Sequence, residues 1–369
     1  MGEKNMKITT TELSDKNRSL HTIYHMSTSL GMVVSITALG AAIQKIAITD
    51  KNGNLKPITL GFENIEQYER CNCYAGATLG PNAGRIRNGR LPVNQHVCQL
   101  TLNERSSQLH GGINNLSACL WQVESFSCGL ESASILLSAS QPHGLDGYPG
   151  NRVYYTRYTL EDTNWLTIEY RAKTDAPTYI NMSNHTYWNL SGDFSRPALK
   201  QELQIFANSV CINDQDHLPV DIVPVADTVF DFRRIRPIKS AAHSPSSSVY
   251  LEQLEIGRGY NNAYILNKNH AFRTLRSVNH TMPLKKACIL RDRETGLTLK
   301  MLTDAPALVL YSGGFLTDNI PLYNGAFASP SCAIALEAQD VPDVMNILPD
   351  GYRLTTPDRP FHRTIRYHI

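Results

Sequence analysis

Residues 152–160 read RVYYTRYTL and residues 165–173 read WLTIEYRAK. Aromatic and β-branched residues recur in both at strand period, and a polar cluster separates them, so the pair predicts two adjacent β-strands. The same pattern spreads in both directions. It reappears in MVVSITALGAAIQKIAITD (32–50, broken at Gly40), HVCQLTL (96–102), SILLSAS (134–140) and TLKMLTD (298–304), with Gly, Asn, Asp or Pro clusters between them. Many short strands of this kind indicate an all-β sandwich or barrel. Helical candidates are confined to single turns at Asn64–Tyr68 and Ser248–Leu254. The polar segment from Asn267 to Lys286 reads as an exposed hairpin or insertion, and the SPSSS run at Ser244–Ser248 as a loop tip. Nothing marks an interdomain linker, so residues 1–369 are expected to form a single domain.

Composition narrows the function. The chain has 369 residues, 42% of them hydrophobic, enough for a large core. With 35 basic and 33 acidic residues the formal charge is +2, which gives no field to hold nucleic acid or an anionic membrane. The opening MGEKNMKITTTELSDKNRSL lacks the order of a secretory signal, and Val33–Ala42 is too short to span a bilayer. Eight cysteines are scattered along the chain, a usage that fits reduced thiols and a cytoplasmic location. Cys71 and Cys73 form a C-x-C pair without a second pair at zinc-ribbon spacing, so they read as neighbours on a strand or turn.

Four stretches carry candidate chemistry. Residues 181–193, NMSNHTYWNLSGD, hold His185 against Tyr187 and Trp188 with no other charge until Asp193. An imidazole there suits proton transfer on a polar ring-shaped ligand, although the segment alone fits a structural histidine better. Residues 108–112, QLHGG, place His110 before two glycines, and a turn histidine is again the simpler reading. Residues 76–90, GATLGPNAGRIRNGR, gather four glycines and three arginines without matching a phosphate-binding loop. In residues 335–346, ALEAQDVPDVMN, Glu337 lies between Leu336 and Ala338, so it faces either solvent or a polar pocket.

Together these stretches resemble the aldose 1-epimerase (galactose mutarotase) family, in order from about Gly76 to Asn346. The asparagine-histidine-aromatic segment corresponds to NHTYWNLSG, the leucine-histidine-glycine-glycine segment to Leu109–Gly112, the arginine-isoleucine pair to Arg85 and Ile86, and the glutamate-x-glutamine motif to Glu337 and Gln339. GLDGYPGNRVYYTRYTL (144–160) and LPVDIVPVADTVFDFR (218–233) resemble further family segments whose role is architectural. Pro81 and Gly84 stand where the family often has an arginine and an asparagine. In Gly259-Tyr260-Asn261-Asn262, Asn261 stands where the family has a sugar-binding aspartate.

The resemblance implies a large antiparallel β-sandwich of the galactose mutarotase-like type, with few short helices. It implies interconversion of the α and β anomers of a free aldose, such as glucose or galactose, by ring opening and closure. Glu337 as base, His185 as acid and His110 as a hydrogen-bond donor would be catalytic, and Arg85, Asn261, Trp188 and Gln339 would bind substrate. No metal or cofactor is expected. The partner would be a monosaccharide and the protein a monomer or homodimer, with no nucleic acid or membrane bound. Alternatives at this stage are a sugar-phosphate 1-epimerase, for which Arg85, Arg87 and Arg90 are candidate phosphate ligands, a non-catalytic carbohydrate-binding protein, and an interaction sandwich.

Overall fold

The computed structural model describes residues 6–14, 20–50, 52–62, 64–268, 283–317, 320–322 and 325–369. The hairpin or insertion expected at 267–286 falls largely outside them. Within them, RVYYTRYTL lies in the strand Arg152–Glu161 and WLTIEYRAK in Trp165–Thr174, paired antiparallel with Tyr158 opposite Ile168. Burial alternates residue by residue along both strands, as expected where one face meets a core and the other is more open. These two strands are the third and fourth of a nine-stranded antiparallel sheet. The remaining strands, in order from one edge, are Gln122–Cys128 and Ser132–Gln141 before the pair, then Phe361–His368, Thr298–Thr303, Lys285–Arg291, Glu202–Ile205 and Arg236–Pro237 after it.

A six-stranded sheet runs in the order Tyr187–Trp188, Ile334–Gln339, Ala307–Tyr311, Asn261–Leu266, Ala207–Asn213 and Pro219–Pro224. It packs against the nine-stranded sheet through one continuous apolar core. Ile168, Tyr170 and Tyr367 contribute from one side and Trp188, Leu308, Leu310, Ile334, Leu336 and Ala338 from the other. The rings of Trp188 and Tyr367 meet with centroids 5.0 Å apart. The architecture is therefore a large antiparallel β-sandwich. A five-stranded sheet adds Met32–Thr37 and Ala42–Thr49, on either side of the predicted break at Gly40. It also includes Lys7–Ser14 and Leu20–Ser27, a hairpin not anticipated from the sequence. Helix is short where present, at Glu66–Arg70 and Ser248–Ile256 near the two expected turns. Among the described residues no helix is long and apolar enough to cross a membrane.

The glycine-rich turn at 144–150 braces the functional region. Arg152 is fully buried, and its guanidinium donates to the carbonyls of Tyr148 (2.7 Å), Gly150 (2.8 Å), Pro142 (3.0 Å) and Pro149 (3.1 Å) and to the Tyr154 hydroxyl (2.9 Å). The turn so held sends the Tyr148 hydroxyl to Gln108 Oε1, and the Asp146 carboxylate accepts from the backbone of Ile113 (3.3 Å) and Asn114 (2.8 Å). The loop carrying His110 is thereby gripped on both sides. Replacing Arg152 by Met would remove the donor from four carbonyls, of which those of Tyr148 and Gly150 are buried. It is expected to lower stability by about 3 kcal/mol, measured as a shift of the urea midpoint at constant slope. A loss below about 0.5 kcal/mol would show that the turn holds without it.

Candidate active site

The strand Ile334–Gln339 is buried along its whole length and on both faces. Ile334, Leu336 and Ala338 face the sandwich core, so strand period sends Ala335, Glu337 and Gln339 the other way. The sheet register extends that second face into neighbouring strands. Tyr187 and Tyr311 both pair with Ala335, Asn261 pairs with Tyr311, and Glu337 lies opposite Val309 and then Ala263. This face is the floor of a cavity of about 820 Å³, lined also by Tyr74, Arg85, Glu104, His110 and His185.

His185 is placed by its neighbours in NHT. The Asn184 amide donates to Gly76 O (2.9 Å), and Asn184 Oδ1 accepts from the Thr186 backbone (3.0 Å). The backbone of His185 donates to Ala77 O and accepts from Gly76 N, each at 3.0 Å. Gly76 has φ +66, and a Cβ there would lie 1.9 Å from Ile43 O, so only glycine permits this approach. The imidazole lies against the Tyr187 ring at 4.7 Å, and its Nε2 stands 3.6 Å from Glu337 Oε1.

His110 adopts φ +49 and is held there by a reciprocal pair of bonds. Its N–H donates to Gly84 O (3.0 Å), and the Gly84 N–H donates to His110 Nδ1 (3.1 Å). Because Nδ1 accepts, the ring carries its proton on Nε2, where it is a donor. Gly111, at φ +96, brings its Cα so close to Gly80 that a Cβ would lie 2.2 Å from the Gly80 oxygen. Gly111 is thus required by the close packing of two backbones, and Gly112, at φ +101, by the Asp146 side chain, which would lie 2.7 Å from its Cβ.

Arg85 reaches the cavity wall with its guanidinium engaged by Glu104, Nε to Oε2 at 2.5 Å and a second bond at 2.9 Å. Glu104, in a polar loop without a recognisable motif, was not singled out in the sequence. Gln339 donates to Glu337 Oε2 at 3.1 Å, and its Oε1 is buried without a hydrogen-bond partner among the described residues. Beyond it, Asp340 is fixed by Arg363 (2.7 Å) and by the Tyr179 hydroxyl (2.9 Å), and Asp343 accepts from the Arg87 backbone (3.0 Å). These two aspartates anchor the strand end and do not line the cavity. Asn261 lines it, half-buried, with its carbonyl accepting from Asn213 Nδ2 (2.9 Å).

Trp188 corrects the sequence expectation. It is fully buried in the core on the opposite face of the sheet and does not reach the cavity. Adjacent strand residues point to opposite sides, so only one of Tyr187 and Trp188 can face a ligand, and it is Tyr187. Tyr74 and Tyr311, also missed, complete an aromatic wall. Tyr74 follows the Cys71 and Cys73 pair, which read only as neighbours on a strand or turn, and Tyr311 ends an apolar strand.

Burial governs the electrostatics. Desolvation pushes the Glu337 carboxyl up to about 8, against the opposing pull of Arg85 and the Gln339 amide. Desolvation pushes His185 down to about 4. His110 is held well below the usual imidazole range by burial, then by the nearby His185 and Arg85 charges. Between those limits the His185–Glu337 pair carries one proton, which the two opposed shifts place on Glu337. The arrangement therefore offers a proton donor and acceptor a few ångströms apart, a neutral N–H donor beside them, and amides and a guanidinium around the rim. One ligand atom each from His110, His185 and Glu337 lies within 4.8 Å of the others, so the same three side chains have the composition to hold a divalent cation.

The family model described as aldose 1-epimerase matches residues 22–362 of the chain. The aldose 1-epimerase of Escherichia coli strain K12 is 31% identical over 317 residues, covering 86% of this chain and 85% of that protein. The galactose mutarotase of Mus musculus is 28% identical over 315 residues, covering 85% and 84%. Among solved structures, the galactose 1-epimerase from Lactobacillus acidophilus NCFM superimposes with a TM-score of 0.81 at 28% identity, over 98% of each chain.

The protonation states are testable without a ligand. In nitrogen-labelled histidine NMR spectra at about pH 6, where an ordinary imidazole is mostly charged, His110 should give the signals of a neutral ring protonated at Nε2, and His185 should be uncharged. Imidazolium signals from either would contradict the geometry and burial described above.

Proposed function

The chain belongs to the aldose 1-epimerase family, and from that premise we infer that it interconverts the α and β anomers of a free aldose such as glucose or galactose. The observation that carries the chemical reading is the buried pair of His185 and Glu337, Nε2 to Oε1 at 3.6 Å, on the cavity floor. Mutarotation moves protons at two oxygens bonded to the same carbon, the anomeric hydroxyl and the ring oxygen. An acid and a base must therefore stand close together.

In the reading we propose, Glu337 takes the proton of the C1 hydroxyl as His185 gives one to the ring oxygen. The C1–ring-oxygen bond breaks, leaving an open-chain aldehyde. Rotation about the C1–C2 bond presents the other carbonyl face, and reversal of both transfers closes the opposite anomer. His110 donates its Nε2 proton to the oxygen at which charge develops. Arg85, Gln339 and Asn261 hold ring hydroxyls, and Tyr187 supports an apolar face of the sugar. The reactive form, carboxylate beside imidazolium, has the same proton count as the resting form. Sugar hydroxyls donating to Glu337 favour it over the neutral pair. The hemiacetal supplies its own leaving group, so the proposal calls on no metal or cofactor.

Phosphorylated sugars fit the cavity wall less well. Arg85 is engaged by Glu104, and Arg87 by Asp214 (3.1 Å) and Asp343 (3.5 Å). Arg90 is exposed on the strand Arg90–Val93 and does not line the cavity. We place the enzyme in the cytoplasm, a reading supported by eight free thiols.

Polarimetry of freshly dissolved α-glucose and α-galactose tests the activity directly. The protein should accelerate mutarotation in the presence of a chelator, and Glu337→Gln should lose about 10³-fold in kcat/KM. A variant with undiminished rate would remove Glu337 from the reaction. Asn261→Asp restores a charged acceptor worth about 1 kcal/mol, so KM should fall about fivefold. An unchanged KM would take position 261 out of sugar binding.

A further inference from the structure

Two thiols stand on the cavity wall with no part in the reaction described above. The short helix Glu66–Arg70 ends at Cys71, whose backbone N–H donates to Gln67 O at 2.9 Å, and the chain turns through Asn72 and Cys73 to Tyr74. All four turn residues line the cavity. The Sγ atoms of Cys71 and Cys73 are 2.7 Å apart, nearer to a covalent S–S bond of about 2.05 Å than to ordinary sulfur contact. Both cysteines are reduced and partly accessible.

The turn is coupled to the catalytic groups. Tyr74, at φ +57, stands edge-on to His110 at 4.8 Å and stacks on His185 at 6.1 Å between ring centroids. Two residues further on, Gly76 donates to the His185 carbonyl. Cys71 and Cys73 also pack on the apolar cluster that contains Tyr187. A covalent change at the two sulfurs therefore acts on a turn that touches both histidines.

We propose that Cys71 and Cys73 are an oxidisable dithiol, a modification site closed to an intra-turn disulfide by small hydroperoxides, and that closure lowers turnover of the sugar. The Cys71 thiolate attacks one hydroperoxide oxygen, and the O–O bond breaks. The other oxygen leaves as hydroxide or alkoxide and takes up the proton that Cys71 released. The product is a Cys71 sulfenic acid. Cys73 Sγ then attacks that sulfur, the S–O bond breaks, and the departing hydroxide leaves with the Cys73 proton as water. Two thiols lose two electrons and two protons, and the hydroperoxide takes up both. The order of attack follows from the contact between the sulfurs, which lowers the Cys71 thiol below its usual range and pushes Cys73 well above it.

The test treats the full-length reduced protein with hydrogen peroxide, quenches with catalase, and divides each sample. One half is alkylated and mapped by mass spectrometry, and the other is assayed by polarimetry. The proposal expects a peptide containing both Cys71 and Cys73 that has lost two hydrogens and resists alkylation. It also expects mutarotation about tenfold slower than in the untreated sample, with dithiothreitol reversing both. Cys73→Ser should instead stop at a sulfenic acid that a diketone reagent traps on Cys71. Cysteines that remain open to alkylation, or a disulfide that forms without slowing the sugar reaction, would overturn the proposal. The rate depends on the sugar reading given above and the mass change does not, so failure of one is distinguishable from failure of the other.

Discussion

A single carboxyl group with almost no contact with water sets the terms for the rest of this structure. Glu337 lies in a strand buried on both faces, and an ionised carboxylate in that position is costly. The side chain responds by holding its proton up to about 8. The same burial withdraws the proton from His185, 3.6 Å away, and holds it down to about 4. One proton shared by two groups of opposite tendency is the resource that reversible hemiacetal chemistry needs. In the mechanism we propose, a proton is given to one substrate oxygen while the partner accepts one from another, and the pair returns to its starting count at the end of each turnover.

Much of the surrounding sequence serves to hold three side chains to this arrangement. Asn184 ties His185 to Gly76, and the close approach of Gly76 to Ile43 forbids a side chain there. Gly84 both accepts from and donates to His110, fixing its tautomer as well as its place. Arg152 closes a turn by four carbonyls, and that turn in turn grips the His110 loop through Tyr148 and Asp146. Residues that looked decorative around the histidines, glycines above all, are backbone constraints on proton geometry.

The strands were legible because their period is two and their faces differ, as in Arg152–Glu161. The site was legible less directly. His110, His185, Glu337 and Arg85 each read as ordinary turn or surface residues alone, and only the ordered resemblance to a family picked them out. The cavity brings all four together with Gln339 and Asn261. Trp188 shows where that reading failed, since it was the aromatic residue assigned to the ligand, whereas strand alternation turns it into the core and presents its neighbour Tyr187 to the cavity. Glu104, Tyr74 and Tyr311 escaped notice because their importance depends on contacts across the sheet and between loops. Nothing local in a polar loop or an apolar strand announces a partner distant in the chain, and the contact between Cys71 and Cys73 likewise depends on how their turn is bent.

The most direct test of the shared proton is the pH dependence of kcat/KM for mutarotation of the free aldose. Below about 4, His185 takes up a second proton while Glu337 keeps its own, so no base remains. Above about 8, Glu337 loses the last proton of the pair and no acid remains. The account predicts a bell with a broad plateau between those limbs, and an acid limb well below the usual imidazole range. A rate that keeps rising through the alkaline limb, or an acid limb at an ordinary histidine value, would contradict it.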